Sequence, residues 1–309
     1  MSPAGPALAL LVPCYNAARY LPRLMATVRA QTQPFAEILC YDDGSTDDTV
    51  QVARDLGLEI IVGDKNHGPA FARNRLADAA RSPWIHFHDA DDLLIPHYVE
   101  RICPLLDESI DAAVCQTDWL LETTREVVIA WRYDGAALTA DPVAANLRYP
   151  ISVGACAFRR ALFQQIGGFD QTFRTWEDGD LQVRFAHAGG RYHVHSEVLA
   201  ISLRHDEGAS AVRGGDLTLE DRTRLFENYL KTLDARHHPV VAEEAEKHAA
   251  WLLAENRRLD LADRDLAVCR TVGWRVPSTN NPLLRLVRPF VSARWLLLQQ
   301  ARVRRLGQK

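Results

Sequence analysis

The feature that most constrains this chain is the regular alternation of strand and helix patterns through its first 120 residues. Short apolar runs predict buried strands at "ALALLV" (7–12), "AEILCYDD" (36–43), "LEIIVG" (58–63) and "WIHFH" (84–88), and "DAAVCQTDWLL" begins a fifth. Helix-compatible segments separate them. This alternation predicts a parallel sheet covered by helices on both faces. Sheets of that kind bind ligands at the carboxyl ends of their strands.

The remainder of the chain has a different pattern. Residues 120–205 mix strand-like and helical segments, and the sequence beyond about 215 is nearly all helical. Ser45 or Thr46 is the predicted cap of the helix that follows the second strand. The 309 residues therefore predict one large domain, alone or with an appendage.

Composition narrows the class of protein. A hydrophobic fraction of 47% and a charged fraction of 25% are typical of a soluble globular chain. The six cysteines include no CxxC pair, which argues against a zinc site or a disulfide framework and predicts reduced, buried thiols. No segment predicts a membrane span or a signal peptide. We therefore expect a cytoplasmic protein, and we expect no nucleic-acid partner.

Carboxylates gather where two predicted strands end. Asp89 and Asp91 follow "WIHFH" directly, and the pair Asp42-Asp43 ends a neighbouring strand. Carboxylate oxygens suit Mg²⁺ or Mn²⁺, which complete their coordination with water and substrate phosphates. Taken alone, the DxD pattern is more typical of a solvated acidic turn, but two acidic strand ends together predict a cleft for a metal and a polar ligand. His86 and His88, which flank Phe87 on the strand, are expected to be packed or hydrogen-bonded rather than metal ligands.

Four motifs then stand in order along residues 7–210: "LVPCYNAARYLPRLMATVRAQT", "YDDGSTDDT", "NHGPAFARNRLADAARSPWIHFHDADDLLIP" and "GGFDQTFRTWEDGDLQVRFAHAGG". With these motifs the chain resembles a family 2 glycosyltransferase. The resemblance implies an α/β, Rossmann-like GT-A fold in which helices flank a mixed sheet. It implies a catalytic domain over 1–212, with a nucleotide-sugar half (about 1–118) and an acceptor half (about 119–212), and a helical extension over 213–309.

The resemblance also implies roles for particular residues. Asp91 would bind the divalent metal, Mn²⁺ or Mg²⁺, and Asp178 would be the catalytic base. His205 matches a downstream position that approaches the metal or the diphosphate. Trp176 and Glu177 would lie on the acceptor side. The nucleotide-sugar would be bound by Pro13, Tyr15, Asn16, Asp43, Asn66, Gly68, Arg73 and Asp89.

Elementary chemistry agrees with these roles. A diphosphate leaves readily only when a cation neutralises its developing charge. An acceptor hydroxyl needs a positioned base at neutral pH. The implied reaction is an inverting, metal-dependent transfer of one sugar from a nucleotide-diphosphate sugar, with UDP as the default base. The acceptor would be a hydroxyl of a saccharide or a lipid-linked molecule in polysaccharide or glycan synthesis. The sequence lacks a QxxRW motif, which favours single addition.

Three other functions remain open at this point. A nucleotidyltransferase on a related fold would carry a glycine-rich signature after its first strand, and "VPCYNAARY" is not one. The "DADD" run is also found in haloacid-dehalogenase phosphatases, but Leu93 stands where those enzymes need Thr or Val. An inactive GT-A-like binding protein is the third possibility, and the intact Asp43, Asp91 and Asp178 argue against it.

The C-terminal tail is strongly basic. After Asp265 the chain carries nine basic residues and no acidic one, although its net charge is -4. Residues 281–306 mix apolar residues near one helical face with six arginines, and Pro289 predicts a kink. Two readings remain open. The tail is either an interfacial helix that contacts the anionic inner face of the membrane, or a helix that packs on this chain or on the second copy of a homodimer.

Overall fold

The computed structural model describes residues 6–204, 216–255, 257–276 and 291–306, with side chains up to residue 299. These residues divide into two compact units, one over 1–213 and the other over 214–309. His205, a predicted metal-site residue, lies outside the described residues. So does much of the basic tail.

The first unit begins with the predicted parallel strands. Their order in the sheet is β3-β2-β1-β4, and all neighbours pair in parallel. β1 is almost wholly buried, as its unbroken apolar run requires. The elements are β1 (Leu8–Cys14), α1 (Leu21–Arg29), β2 (Glu37–Asp42), α2 (Thr49–Asp55), β3 (Glu59–Val62), α3 (Pro69–Ala79) and β4 (Trp84–Phe87).

The sheet then becomes mixed, as the resemblance implied and as the strand alternation alone did not. The elements are β5 (Leu93–Leu94), α4 (Tyr98–Ile102), β6 (Ala112–Leu121), β7 (Val127–Trp131), α5 (Gly135–Ala140), α6 (Pro142–Arg148), β8 (Cys156–Arg159), α7 (Arg160–Gln165), α8 (Glu177–His187) and β9 (Tyr192–Arg204). β8 enters between β4 and β6 and is antiparallel to both. β6 therefore runs in the same direction as β4, so their carboxyl ends lie at one edge of the sheet.

β6 also organises the far side of the sheet. It pairs in parallel with β9 along most of its length and antiparallel with β7 over its second half. The short β5 pairs antiparallel with β9. This last pairing joins the segment after the DxD motif to a strand about 110 residues further along the chain.

Buried polar groups and thiols complete the core of the first unit. His86 bonds through Nδ1 to the Cys156 carbonyl (2.9 Å) and the Tyr98 hydroxyl (2.8 Å), and through Nε2 to His88 Nδ1 (3.3 Å). Burial lowers the pKa of His86 to about 3 and that of His88 to about 4. The prediction that these two histidines are packed and hydrogen-bonded is confirmed. All six cysteines of the chain are free and buried, also as predicted.

The described part of the second unit is helical. Its elements are α9 (Asp216–Thr232), α10 (His238–Ala254), α11 (Leu259–Thr271) and α12 (Ala293–Leu306). Arg258 precedes α11 with φ 37°, so the long helical run after Val241 is broken into two helices. Leu296 and Leu297 of α12 are buried, and α12 packs against α10. None of the helices in the described ranges has the length and apolar character needed to cross a membrane.

Candidate active site

The candidate site lies at the sheet edge where β1, β2 and β4 end. The loops that leave these three strands carry most of the residues predicted from the sequence. Pro13 is the second-to-last residue of β1 and pairs with Tyr41 of β2. Tyr15 follows as a side chain that is 51% exposed, which is notable for a large aromatic residue.

Asn16 ties the β1 loop to the β2 loop. Its Oδ1 accepts from the Thr46 backbone N–H (2.9 Å), and its own N–H donates to Ser45 Oγ (2.9 Å). Asn16 has φ 49°, a left-handed conformation that asparagine tolerates better than most residues. The prediction that Ser45 or Thr46 caps α2 is therefore wrong: both bond to Asn16, and Asp47 accepts from the Thr49 N–H at the start of α2 instead (3.0 Å).

Asp43 holds the loop that leads into α3. Its buried carboxylate accepts from the backbone N–H groups of His67 (3.0 and 3.1 Å) and Gly68 (2.7 Å). An ionised carboxylate has about four acceptor positions, so oxygen lone pairs of Asp43 remain for a further donor. Gly68 has φ 97°, which suits glycine, and Asn66 in the same loop is exposed. The sequence pointed to Asp43 as a ligand-binding residue, but not to this role in shaping the loop.

Gly44 shows how closely these two loops approach each other. Its φ is 74°, and a Cβ added there would lie 2.5 Å from the Lys65 carbonyl carbon and 2.8 Å from the Asn66 nitrogen. Both the backbone conformation and the space exclude any larger residue. The Gly in "DDGS" therefore brings the Asn66 backbone against the end of β2.

The DxD loop, which is the segment 89–92 after β4, is held by contacts from β9 and from α1. Asp92 is buried: its carboxylate accepts from Ser202 Oγ and from the Leu203 N–H on β9, each at 2.8 Å. From α1, Arg23 donates to the Asp91 backbone carbonyl (2.8 Å) and pairs with Glu122 at the end of β6 (2.6 Å). These contacts use the backbone of Asp91 and the side chain of Asp92.

Negative charge accumulates at this loop. Burial raises the pKa of Asp92 well above its usual range, and the neighbouring charges of Asp91 and Asp89 raise it further. The Asp89 side chain is 42% exposed and accepts from Arg73. Carboxylate oxygens are ligands that Mg²⁺ and Mn²⁺ prefer.

Arg73 connects the DxD loop to α8. The side chain comes from α3 and is buried; Nη2 lies 2.7 Å from Asp89 Oδ1, and Nη1 lies 2.9 Å from Glu177 Oε1. Burial by itself would lower the pKa of Arg73, but Asp89 and Glu177 outweigh it and raise the pKa above the ordinary value. The guanidinium also lies over the Phe169 ring, 5.4 Å from its centroid. Arg73 is therefore not a solvent-facing helix charge.

The first turn of α8 presents the predicted base and its neighbours. Trp176 precedes the helix in a left-handed conformation, φ 65°, which is rare for a bulky residue and concentrated at functional sites. Glu177 faces Arg73; burial and the adjacent Asp178 raise its pKa, although Arg73 opposes this. Asp178 is half-buried and accepts from the Gly179 N–H (2.8 Å). The amino end of a helix favours a carboxylate in its ionised form.

The structure thus brings the predicted residues of the strand loops, the DxD loop and α8 to one region of the first unit. Sequence reasoning missed Arg23 and Asp92. Asp92 had a recognisable signal, since it is the third carboxylate of "DADD" and has no partner nearby in the chain. Arg23 had none, because its partners lie 68 and 99 residues away.

Comparison with known proteins agrees with this architecture. Residues 9–167 match the model of glycosyl transferase family 2, and residues 136–205 match one described as the N-terminal domain of galactosyltransferase. The succinoglycan biosynthesis protein ExoU of Rhizobium meliloti (strain 1021) is 31% identical over 251 residues, which cover 74% of this chain and 70% of that protein. A PGL/p-HBAD biosynthesis glycosyltransferase of Mycobacterium tuberculosis is 28% identical over 59% of this chain and 70% of that protein.

Solved structures show the same fold. Residues 1–349 of TarS from S. aureus in complex with UDP-GlcNAc superpose with a TM-score of 0.67 at 17% identity, covering 96% of this chain and 89% of that one. The mannosyltransferase PcManGT from Pyrobaculum calidifontis, in complex with GDP-Man and Mn²⁺, superposes with a TM-score of 0.60 at 19% identity, covering 99% and 89%. The chain belongs to glycosyl transferase family 2, and it is a glycosyltransferase with a GT-A fold.

Proposed function

We propose that this glycosyltransferase transfers a single sugar, with inversion, from a nucleotide-diphosphate sugar to a hydroxyl of a saccharide or lipid-linked acceptor, in the synthesis of a cell-surface polysaccharide. The observation that carries the proposal is the buried Arg73, which holds Asp89 of the DxD loop and Glu177 beside the candidate base. One cation thereby contacts both the loop that contains the candidate metal ligand Asp91 and the helix end that contains the candidate base Asp178. Residues 1–212 would form the catalytic domain.

The donor side consists of the loops after β1, β2 and β4. Pro13, Tyr15, Asn16 and Asn66 would border the nucleotide, and the remaining lone pairs of Asp43 would accept from the base. UDP is the default because TarS is described with UDP-GlcNAc. PcManGT is described with GDP-Man, so a guanine nucleotide is the alternative that the donor assay must include.

The residues of the DxD loop fit a divalent metal. Asp89, Asp91 and Asp92 place three carboxyl groups there, and burial, together with the charges of Asp91 and Asp89, raises the pKa of Asp92. Asp91 would hold Mn²⁺ or Mg²⁺, with Asp89 in reach of a metal-bound water or the ribose and His205 as a further candidate. When bound, the ion would neutralise the charge that develops on the departing diphosphate. The description of PcManGT with Mn²⁺ supports this part of the proposal.

Asp178 would act on the acceptor. It lies at the amino end of α8, where its carboxylate can accept the proton of an attacking hydroxyl. Glu177 is committed to Arg73, so we assign it the positioning of this helix end rather than proton transfer. Trp176 would border the acceptor sugar. A separate base on the acceptor side is what an inverting transfer needs, because the hydroxyl attacks in one step.

A donor screen tests the proposal. Purified protein would be incubated with UDP- and GDP-sugars and Mn²⁺, and both thermal shift and release of the nucleoside diphosphate would be measured. A donor at 100 times its dissociation constant should add about 2.7 kcal/mol to the free energy of unfolding. EDTA should abolish release of the diphosphate. A protein that neither binds nor hydrolyses any nucleotide-sugar would contradict the proposed function.

A further inference from the structure

Four aromatic rings pack together on one face of the β6–β7 hairpin, and they form a cluster that the sequence motifs do not include. The ring centroids of Trp131 and Tyr149 are 4.8 Å apart, and those of Trp119 and Trp131 are 5.8 Å apart. Tyr133 stands 6.0 Å from Tyr149. We call these four residues, Trp119, Trp131, Tyr133 and Tyr149, the aromatic cluster.

Strand register explains why the cluster forms. Thr117 of β6 pairs with Trp131 of β7, so every second residue from Thr117 and from Trp131 lies on the same face of the hairpin. The Tyr133 ring is buried, and its hydroxyl accepts from the Ser152 N–H (3.1 Å). Tyr133 is therefore the buried member of the cluster, and its hydrogen bond to Ser152 fixes its position.

Tyr149 is the most solvent-exposed residue of the cluster. It follows α6 and remains 42% exposed, although its ring packs against Trp131 at an interplanar angle of 53°. Trp119 and Trp131 are half-buried, so the cluster has a solvent-facing aromatic edge. An exposed group of packed aromatic rings is typical of an interaction surface.

The cluster adjoins the candidate site at two places. At one end, Trp119 pairs in register with Ser202 of β9, and the hydroxyl of Ser202 holds Asp92 of the DxD loop (2.8 Å). At the other end, Pro150 follows Tyr149 directly, and a Cβ placed on Gly179 would lie 3.5 Å from both Pro150 Cβ and Trp176 Cε3. The aromatic surface therefore runs from the DxD loop to the helix turn that carries Asp178.

We infer that the aromatic cluster binds a sugar ring of the acceptor, with Tyr149 as the stacking face and Trp131 behind it. A pyranose presents an apolar C–H face to an aromatic ring while its hydroxyls stay in water, so recognition of this kind requires exposed but rigid rings. The occupant is a saccharide because the cluster lies next to Pro150, which is close to the helix turn that carries the candidate base. This inference rests on the proposed function, since it specifies the acceptor of the same site.

The test uses Tyr149→Ala, which removes the ring, and Tyr149→Phe, which keeps it. Val128→Ala is the matched control, because Val128 is on the same hairpin, is 41% exposed and is outside the cluster. Binding of methyl glycosides and short gluco-, galacto- and manno-oligosaccharides to the full-length protein would be followed by saturation-transfer NMR with UDP and Mn²⁺ present, and the acceptor and donor KM values would be measured by diphosphate release.

We expect Tyr149→Ala to weaken saccharide binding and raise the acceptor KM on the order of 10-fold, with the donor KM preserved. Val128→Ala should behave like the unaltered protein, and Tyr149→Phe, which keeps the ring, should bind saccharide more tightly than Tyr149→Ala. Equal saccharide binding by Tyr149→Ala and the unaltered protein, or no binding of any saccharide by either, overturns the inference. A change from dimer to monomer in Tyr149→Ala, without a change in saccharide binding, overturns it too and makes the cluster a contact between copies.

The NMR arm separates this inference from the proposed function. If the unaltered protein hydrolyses no nucleotide-sugar but binds saccharide in a Tyr149-dependent manner, the transfer proposal fails and the aromatic surface stands. If it hydrolyses a donor while Tyr149→Ala leaves the acceptor KM unchanged, the transfer proposal stands and the aromatic surface fails.

Discussion

Arg73 and Glu177, which are 104 residues apart in the chain, form a buried ion pair with 2.9 Å between Nη1 and Oε1. The same guanidinium lies 2.7 Å from Asp89. Arg73 belongs to α3. This helix thus contacts both the DxD loop and α8, the helix that carries the candidate base. Both carboxylates contact this one cation, so its removal affects the two sides together.

Replacement of Arg73 by Met should lower the free energy of unfolding by about 2–4 kcal/mol, less than for a wholly buried pair because the Asp89 side chain is 42% exposed. Chemical denaturation measures this loss. Arg75→Met is the control from the same helix: Arg75 is 55% exposed, and its change should stay within about 0.5 kcal/mol. Equal stability of the two variants would mean that the Arg73 pairs contribute nothing net.

Asp178→Asn should lower kcat by about 10²–10⁴-fold while leaving donor affinity unchanged, because the amide keeps the shape and cannot accept the proton. Steady-state kinetics and donor titration make this measurement. Glu177→Gln is the informative comparison, since it disturbs the Arg73 pair and should lower stability as well as rate. A collapse of donor affinity in Asp178→Asn would make this residue a binding group and place the base elsewhere.

Asp91→Asn should abolish metal-dependent donor binding and leave the fold intact. The loop around this residue is held by the Asp91 backbone carbonyl and by Asp92, so the loss of one carboxylate charge removes a metal ligand without removing those contacts. Isothermal titration with Mn²⁺ and the donor, together with circular dichroism, checks both halves. Full transfer activity in Asp91→Asn, or in excess EDTA, would contradict a role for this carboxylate in metal binding.

Asp111 should be the source of acid sensitivity in the first unit. Asp111 lies just before β6. Its carboxylate bonds to Arg159 at the end of β8 (2.9 Å) and to Arg191 just before β9 (2.8 Å). Burial alone would raise the pKa of Asp111, but the hydrogen bonds from the two arginines lower it below the usual range. The stabilisation is therefore present above the unfolded pKa of about 3.9 and is lost as the pH falls through the lower folded value.

Asp111→Asn should accordingly cost about 1–2 kcal/mol at pH 7 and much less at pH 3. Urea denaturation of both proteins at the two pH values gives the difference. Asp107→Asn is a control, because the Asp107 side chain is exposed and bonds mainly to Ser109. A cost that is the same at pH 7 and pH 3 would show that the effect is one of packing rather than charge.

The two readings of the basic tail call for a substitution rather than a truncation. Leu296 and Leu297 are buried within the second unit, so deletion of the tail would remove core residues. A loss of vesicle binding by the truncated protein could then result from unfolding rather than from loss of a membrane contact. Replacing Arg302, Arg304 and Arg305 with Gln should reduce co-sedimentation with anionic vesicles by about 1 kcal/mol per arginine if these residues contact the membrane surface. Unchanged sedimentation at low and high salt would favour packing or dimerisation.

The sequence alone was sufficient for the elements whose information is local. Hydrophobic periodicity and apolar runs predicted β1 to β4 and the helices between them. The acidic residues at the strand ends predicted where ligands would bind. Asp89 and Asp91 could be picked out because their residue type and spacing already carry the chemistry. The family motifs added Asp178, which composition and periodicity could not distinguish from an ordinary helix start.

Only the tertiary structure decided how these pieces are joined. β8 enters the sheet antiparallel between β4 and β6, which no periodicity records, and its insertion directs the end of β6 to the candidate site. The contacts of Arg73 with Glu177 and of Arg23 with Asp91 span 104 and 68 residues. A hydrophobic pattern reports whether a position is buried, but the partner of a buried charge depends on which segments the fold brings together. That physical reason is why the sequence identified the carboxylates and the folded chain identified the cations that hold them.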